Sequence, residues 1–209
     1  MKLYTFPPAP NPQRVHIFLA EKGMHIPEIS LDLMKGEQFS DEFKTLNPDC
    51  TVPTLVTDDG LVLAQVPAIC LYLEELHPEP RLLGTNLVER VLVREWCQRI
   101  YLDGIGAVAE AFRNSTPGFK GRALPGQIGL EQLPELVERG KQRLAGFWKR
   151  FDAHLEGRDF VVGDQFTMAD IDGYVTVSFA GWIKESVPEE CRNIHRWHQA
   201  VSNRPSIKA

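Results

Sequence analysis

Asn47-Pro48-Asp49-Cys50-Thr51-Val52-Pro53-Thr54-Leu55-Val56, running into Thr57-Asp58-Asp59-Gly60-Leu61-Val62-Leu63, sets two short aliphatic and β-branched runs on either side of an Asp-Gly turn. That arrangement is the strongest short-range signal for a β-hairpin. Pro53 stands at the mouth of the first strand, where a ladder N–H can be spared. A cis Val52–Pro53 bond would turn the Val52 N–H and C=O outward, free to pair with an extended, peptide-like ligand. An ordinary edge-strand proline has the same sequence, so the segments around it must carry the rest of the argument.

Upstream, Leu3-Tyr4-Thr5-Phe6 predicts a strand, followed by the loop Pro7-Pro8-Ala9-Pro10-Asn11. A helix is expected from Pro12 to Lys22, with Val15, Phe18 and Leu19 on one face, Pro12 at the first helical position and Gly23 as the stop. Ile26 to Leu31 alternates like a second strand, and a polar segment from Lys35 to Leu46 leads to Asn47-Pro48. Beyond the hairpin, Val66 to Leu76 predicts a helix with Ile69, Leu73 and Leu76 inward. The order is β-α-β-α-β-β-α.

The proline-punctuated linker His77-Pro78-Glu79-Pro80-Arg81 follows, and nothing strand-rich comes after it. Helical periodicity covers Leu87 to Phe112, with Gly104 and Gly106 as bend points, then Leu133–Leu155, Thr167–Trp182 and Pro188–Ser202. The expected division is an α/β domain over 1–78 and an all-α domain over 86–209. In Phe166-Thr167-Met168-Ala169-Asp170-Ile171, Thr167 is an N-cap and Asp170 the third helical residue, a capping box with a purely structural role.

The 209 residues suffice for one large domain or two modest ones, and the formal net charge of -5 gives no electrostatic case for nucleic acid or an anionic membrane surface. No apolar run approaches the length of a membrane span, and the amino terminus lacks a signal-peptide core, so a cytoplasmic protein is expected. Cys50, Cys70, Cys97 and Cys191 show no Cys-x-x-Cys pair, and His195 and His198 have no third ligand in view. No metal is expected.

Taken together, the chain resembles the cytosolic glutathione transferase superfamily, with a bacterial, nu-/theta-like loop. The likeness rests on Arg14-Val15-x-Ile17-x-Leu19-x-Glu21-Lys22-Gly23, Leu46-Asn47-Pro48, Val52-Pro53-Thr54-Leu55, Ala68-Ile69-x-x-Tyr72-Leu73, the Thr167-x-x-Asp170 cap and Arg204-Pro205-Ser206. It implies an α/β thioredoxin-like N-terminal domain plus an all-α C-terminal domain, and glutathione as co-substrate.

The resemblance also implies a thiol-activating residue in the loop before the first helix, because a free thiol is only a few per cent ionised at neutral pH. No Ser, Cys or Tyr lies in Phe6–Pro12; Ala9 takes the usual position. Asn11 is similar to the asparagine of the nu-class Thr-Pro-Asn motif, without the threonine. As N-cap it would aim its side-chain oxygen at an early helix N–H and its NH₂ outward, toward a bound thiolate; capping alone explains the residue equally well. Tyr4 is the nearest hydroxyl, inside the first strand.

At the other end of the tripeptide, the family's Glu/Asp-Ser pair becomes Gln65-Val66, which loses a charge-assisted bond and a hydroxyl. The resemblance implies that Val52 and Pro53 hold the cysteinyl backbone, that Gln65 and Val66 hold the γ-glutamyl group, and that Lys35 or Gln38 takes the glycyl carboxylate. Asp103 of a second subunit would supply a missing negative charge. Pro7, Pro8, Tyr101, Phe112 and Phe119 are candidate walls for a second substrate, and Lys120 and Arg122 for attracting an acidic one.

The expected activity is conjugation of the glutathione thiolate to a small-molecule electrophile by a homodimer. A glutathione-dependent disulfide reductase of the nu type and a non-catalytic binding or scaffold protein on the same fold are the alternatives.

Overall fold

The computed structural model describes residues 1–208. Its contacts divide it into two units, the first being Met1–Pro78 together with Thr116–Gln132 and the second the remainder.

In the first unit the order is β1 (Lys2–Thr5), α1 (Pro10–Glu21), β2 (Glu28–Ser30), α2 (Asp41–Leu46), β3 (Thr54–Val56), β4 (Val62–Leu63) and α3 (Val66–Leu76). The strands form one sheet in the order β2-β1-β3-β4. β1 runs parallel to β2 and antiparallel to β3, and β4 is antiparallel to β3. The registers Thr5↔Ser30, Tyr4↔Thr54 and Leu55↔Leu63 have a direct consequence. The exits of β1, β2 and β4 and the entry to β3 all lie at the same end of the sheet.

Alternation of side chains across the pleat puts Leu3 and Leu55 opposite each other, both fully buried. α1 contributes Val15 and Phe18 to this core, α3 contributes Ile69 and Leu73, and the two helices pack together. Burying each such side chain stabilises the fold by about 1.5–3 kcal/mol.

α1 ends in a Schellman motif: Gly23 at φ 62° donates its N–H to the Ala20 carbonyl and Met24 donates to Leu19. Lys22, just inside that stop, is ion-paired with Glu74 of α3 and donates to the His77 carbonyl at 2.8 Å, so the C-terminal ends of α1 and α3 are tied together.

The hairpin turns through Thr57–Leu61, with Gly60 at φ 85° donating to the Thr57 carbonyl. The segment before it is pinned by buried Asn47. Its Nδ2 donates to the Thr51 carbonyl at 2.9 Å and to Thr54 Oγ1 at 3.0 Å, while its Oδ1 accepts the Asp49 N–H.

The second unit is helical: α4 (Leu87–Ile100), a π-helical turn over Tyr101–Ile105, α5 (Gly106–Ser115), α6 (Pro134–His154), α7 (Met168–Ala180), α8 (Arg192–Ser202) and α9 (Pro205–Lys208). Phe147, Trp148, Phe151 and Trp197 form its aromatic centre, and Ile171 is buried as well. Asp170 is fully buried there. Its carboxylate accepts from the Val161 and Thr167 N–H groups, from Thr167 Oγ1 and from Trp197 Nε1, all at 2.9–3.0 Å. The capping box is thus also the junction between α7, α8 and the preceding loop.

Several expectations need correcting. α1 starts at Pro10 rather than Pro12, because the Phe6–Ala9 turn delivers the chain directly into helix: Ala9 donates to the Phe6 carbonyl and Gln13 to the Ala9 carbonyl. Ala9 is therefore the N-cap, and Asn11 is not. β2 is a three-residue, exposed edge strand rather than Ile26–Leu31. The polar segment is a 3₁₀ turn, Glu37–Phe39, followed by α2, whose cap is Ser40. Leu76 is 46 % exposed, and Val66 and Cys70 join Ile69 and Leu73 in the buried face of α3. The connection from α5 to α6 belongs to the first unit. No helix among the described residues is long and apolar enough to cross a membrane.

Candidate active site

The sheet topology gathers five of the expected residues. Asn11 follows β1, Val52 and Pro53 precede β3, and Gln65 and Val66 follow β4, all at the shared end. The segment carrying Lys35 and Gln38 leaves β2 at that end as well.

Asn11 sits in the first turn of a 12-residue helix. Pro10 and Pro12 on either side have no N–H, so Asn11 supplies the main-chain donor between them. Among the described residues that N–H has no acceptor. The side chain does not cap the helix. Its Oδ1 accepts from Arg14 Nη1 at 3.0 Å, and its Nδ2 has no partner among the described residues. One residue thus offers two unused donors at the positive end of a helix, with no acidic side chain in that turn.

The Val52–Pro53 peptide bond is cis. Neither the N–H nor the C=O of Val52 is hydrogen-bonded among the described residues, although Val52 is only 9 % exposed. Its carbonyl and amide are available to a strand-like ligand running along the edge. The network around Asn47 fixes this segment; sequence reasoning included Asn47 in the family likeness without giving it that work.

At α3, Gln65 is the cap residue, exposed and without a side-chain cap bond. The Val66 side chain is 4 % exposed and belongs to the core, so only its N–H faces the helix end. Pro67 has no N–H, and the first two helix-internal donors, Ala68 and Ile69, both reach the Gln65 carbonyl.

Lys35 and Gln38 differ. Lys35 is exposed and pairs with Asp32 at 3.3 Å. Gln38 is 8 % exposed, and its Oε1 is buried with no partner. A buried carbonyl left unpaired costs about 1–3 kcal/mol, so this oxygen is suited to accept from a bound group.

Tyr4 packs its ring against Phe43 at 5.5 Å. Asp103 accepts from Arg150 at 2.8 Å and lies 4.0 Å from Arg143, so its charge is already met within the second unit. Phe112 is part of an aromatic cluster with Phe179 and Trp182. No group of three metal-ligating side chains occurs among the described residues.

The family model described as "Glutathione S-transferase, N-terminal domain" matches residues 9–76, and that described as "Glutathione S-transferase, C-terminal domain" matches residues 135–209. The chain is 35 % identical over 210 residues to glutathione S-transferase 2 of Saccharomyces cerevisiae, covering 100 % of this chain and 88 % of that one. The crystal structure of Gtt2 from Saccharomyces cerevisiae superposes with a TM-score of 0.91 at 34 % identity, covering 100 % of this chain and 99 % of that one. A glutathione S-transferase domain-containing protein of Marinobacter aquaeolei gives the same TM-score and identity, with 99 % and 100 % covered. These matches span the loop before α1, the cis-proline hairpin and the helical half alike: the chain belongs to the cytosolic glutathione transferase superfamily and is a glutathione transferase.

Proposed function

We propose that this transferase conjugates glutathione to a small electrophile, with Asn11 as the residue that stabilises the thiolate. The observation that carries this reading is the pair of unused donors on Asn11 at the start of α1. Both would point partial positive charge at the sulfur, and the helix end would add to it. Ionisation releases the thiol proton to solvent. The sulfur lone pair then forms the bond to the electrophilic carbon, and the leaving group departs with its bonding electrons.

The rest of the tripeptide would lie along the sheet end. Val52 would pair with the cysteinyl backbone beside Pro53, and Gln65 and the Val66 N–H would meet the γ-glutamyl group. The side-chain NH₂ of Gln38 would donate to the glycyl carboxylate, leaving its Oε1 for a donor such as a peptide N–H of the ligand, and Lys35, turned toward Asp32, would contribute less. With Gln65 in place of an acid, the γ-glutamyl ammonium lacks a charge-assisted partner, which predicts weaker glutathione binding than an acidic residue would give.

The working form is proposed to be a homodimer joined through α4, where Leu87, Val88 and Val91 are 69 %, 66 % and 58 % exposed on the helix surface. Such a run of apolar side chains fits a second copy of the same chain better than water.

Conjugation of glutathione to an aryl halide tests the activity. Asn11→Ala is expected to lower kcat/KM by about 10²-fold, the effect of removing a donor from a developing or bound anion. An unchanged rate would remove Asn11 from the reaction. Reduction of a small disulfide without conjugation would favour the nu-type reductase over the conjugating enzyme.

A further inference from the structure

We propose that Arg14 is a positioning residue for the thiolate, fixing which way the Asn11 carboxamide faces and carrying positive charge to the sulfur through it. The proposal rests on the reading of Asn11 given above.

Arg14 is 2 % exposed, and a guanidinium removed from water must be paired to be tolerated. It lies three residues after Asn11, hence on the same face of α1, and its Nη1 donates to Asn11 Oδ1 at 3.0 Å. A guanidinium has five donors and no acceptor, so only the carboxamide oxygen can face it. The NH₂ is thereby directed away from Arg14, where it has no partner among the described residues. A flipped amide would set donor against donor and lose the bond.

The same contact polarises the amide. Hydrogen bonds in a chain strengthen one another, so a carboxamide whose oxygen is held by a cation donates better from its nitrogen. Arg14 is also the one cationic side chain of the first two turns of α1. His16 is committed elsewhere: its Nε2 lies 3.2 Å from Thr5 Oγ1 and 3.3 Å from Glu28, with burial pulling its pKa down and Glu28 pulling it up. Lys22, near the far end of the helix, is paired with Glu74.

A guanidinium that only filled the core would support folding and leave the sulfur's ionisation alone. The two roles separate in the pH dependence of kcat/KM and in the ultraviolet thiolate absorbance of bound glutathione, measured on wild type, Arg14→Gln, Arg14→Lys, Asn11→Ala and the Asn11→Ala/Arg14→Gln double variant. Arg14→Gln is expected to raise the apparent thiol pKa by about one unit, a roughly tenfold loss of rate at neutral pH, with glutathione KM changed less than about twofold. Arg14→Lys, keeping charge without the fork, is expected to shift it in the same direction by less. The double variant is expected to show no shift beyond that of Asn11→Ala, since Arg14 acts through the amide.

An unshifted pKa in Arg14→Gln, with a shifted one in Asn11→Ala, overturns the role of Arg14 and leaves Asn11 standing. An unshifted pKa in Asn11→Ala overturns the reading on which both depend. If Arg14→Gln fails to fold, Arg14→Lys decides: a wild-type pKa in that variant overturns the proposal, and a raised one supports it.

Discussion

Asn11 and Asp170 are both short polar side chains at the first turn of a helix, yet the structure uses them in opposite ways. Asp170 has every lone-pair direction taken by a donor, whereas Asn11 keeps its donors unspent. Replacing Asp170 by Ala leaves the Trp197 N–H and two main-chain N–H groups buried and unpaired, and is expected to cost about 3 kcal/mol or more in chemical denaturation. Burial raises the Asp170 carboxyl from 3.8 to about 6, against the pull of its donors. The folded state therefore holds this proton more tightly than the unfolded chain. The contribution of that shift to stability is full below pH about 4 and is lost as pH rises through about 6. The gap in unfolding free energy between wild type and Asp170→Ala is thus expected to widen from pH 7 to pH 5; a constant or narrowing gap would contradict this. The capping box was legible in six consecutive residues. The environment of Asn11 was not, because its cap position depended on where the Phe6–Ala9 turn enters α1. The spacing of Asn11 and Arg14 is visible in the sequence, but whether a guanidinium is buried is decided by packing from elsewhere in the fold.

At the level of elements, the proposed chemistry falls at the ends of helices and strands. α1 and α3 both begin at the same end of the sheet, each with a proline in its first turn that removes a competing N–H. The end of α3 lacks the negative charge that a γ-glutamyl ammonium would meet. Gln65→Glu is expected to tighten glutathione about tenfold in a calorimetric titration, because a charge-assisted bond replaces a neutral one and Gln65 is exposed enough to be exchanged without repacking. Unchanged affinity would mean that the ammonium binds elsewhere. The hairpin, α3 and the long helical stretches were legible from periodicity and turn residues. The connection Thr116–Gln132 was not: it packs in the first unit, where Gly126, at φ +69°, comes so close to the Asp49 carbonyl that a Cβ would lie 1.8 Å from that oxygen. A contact between residues so far apart in sequence leaves no local pattern.

For the molecule as a whole, the two-part organisation and the family were readable from the ordered motifs, since an α/β pattern followed by amphipathic helices admits few arrangements. The surface proposed for self-association was less so. The α4 surface has apolar residues at positions that periodicity alone would assign to a core, and only the structure shows Leu87, Val88 and Val91 exposed. Val91→Arg is expected to yield monomers by sedimentation at concentrations where the wild type is a dimer, with the thermal transition of each unit retained. An unaltered oligomeric state would place the interface on another face.

The central claim is that the sulfur of glutathione rests on the opening turn of α1. A crystal structure of the protein soaked with glutathione tests it most directly. The account predicts the sulfur within hydrogen-bonding distance of the Asn11 main-chain N–H or Nδ2, with the cysteinyl backbone paired to Val52. A tripeptide bound with its sulfur away from that turn, or with Val52 still unpaired, would contradict it.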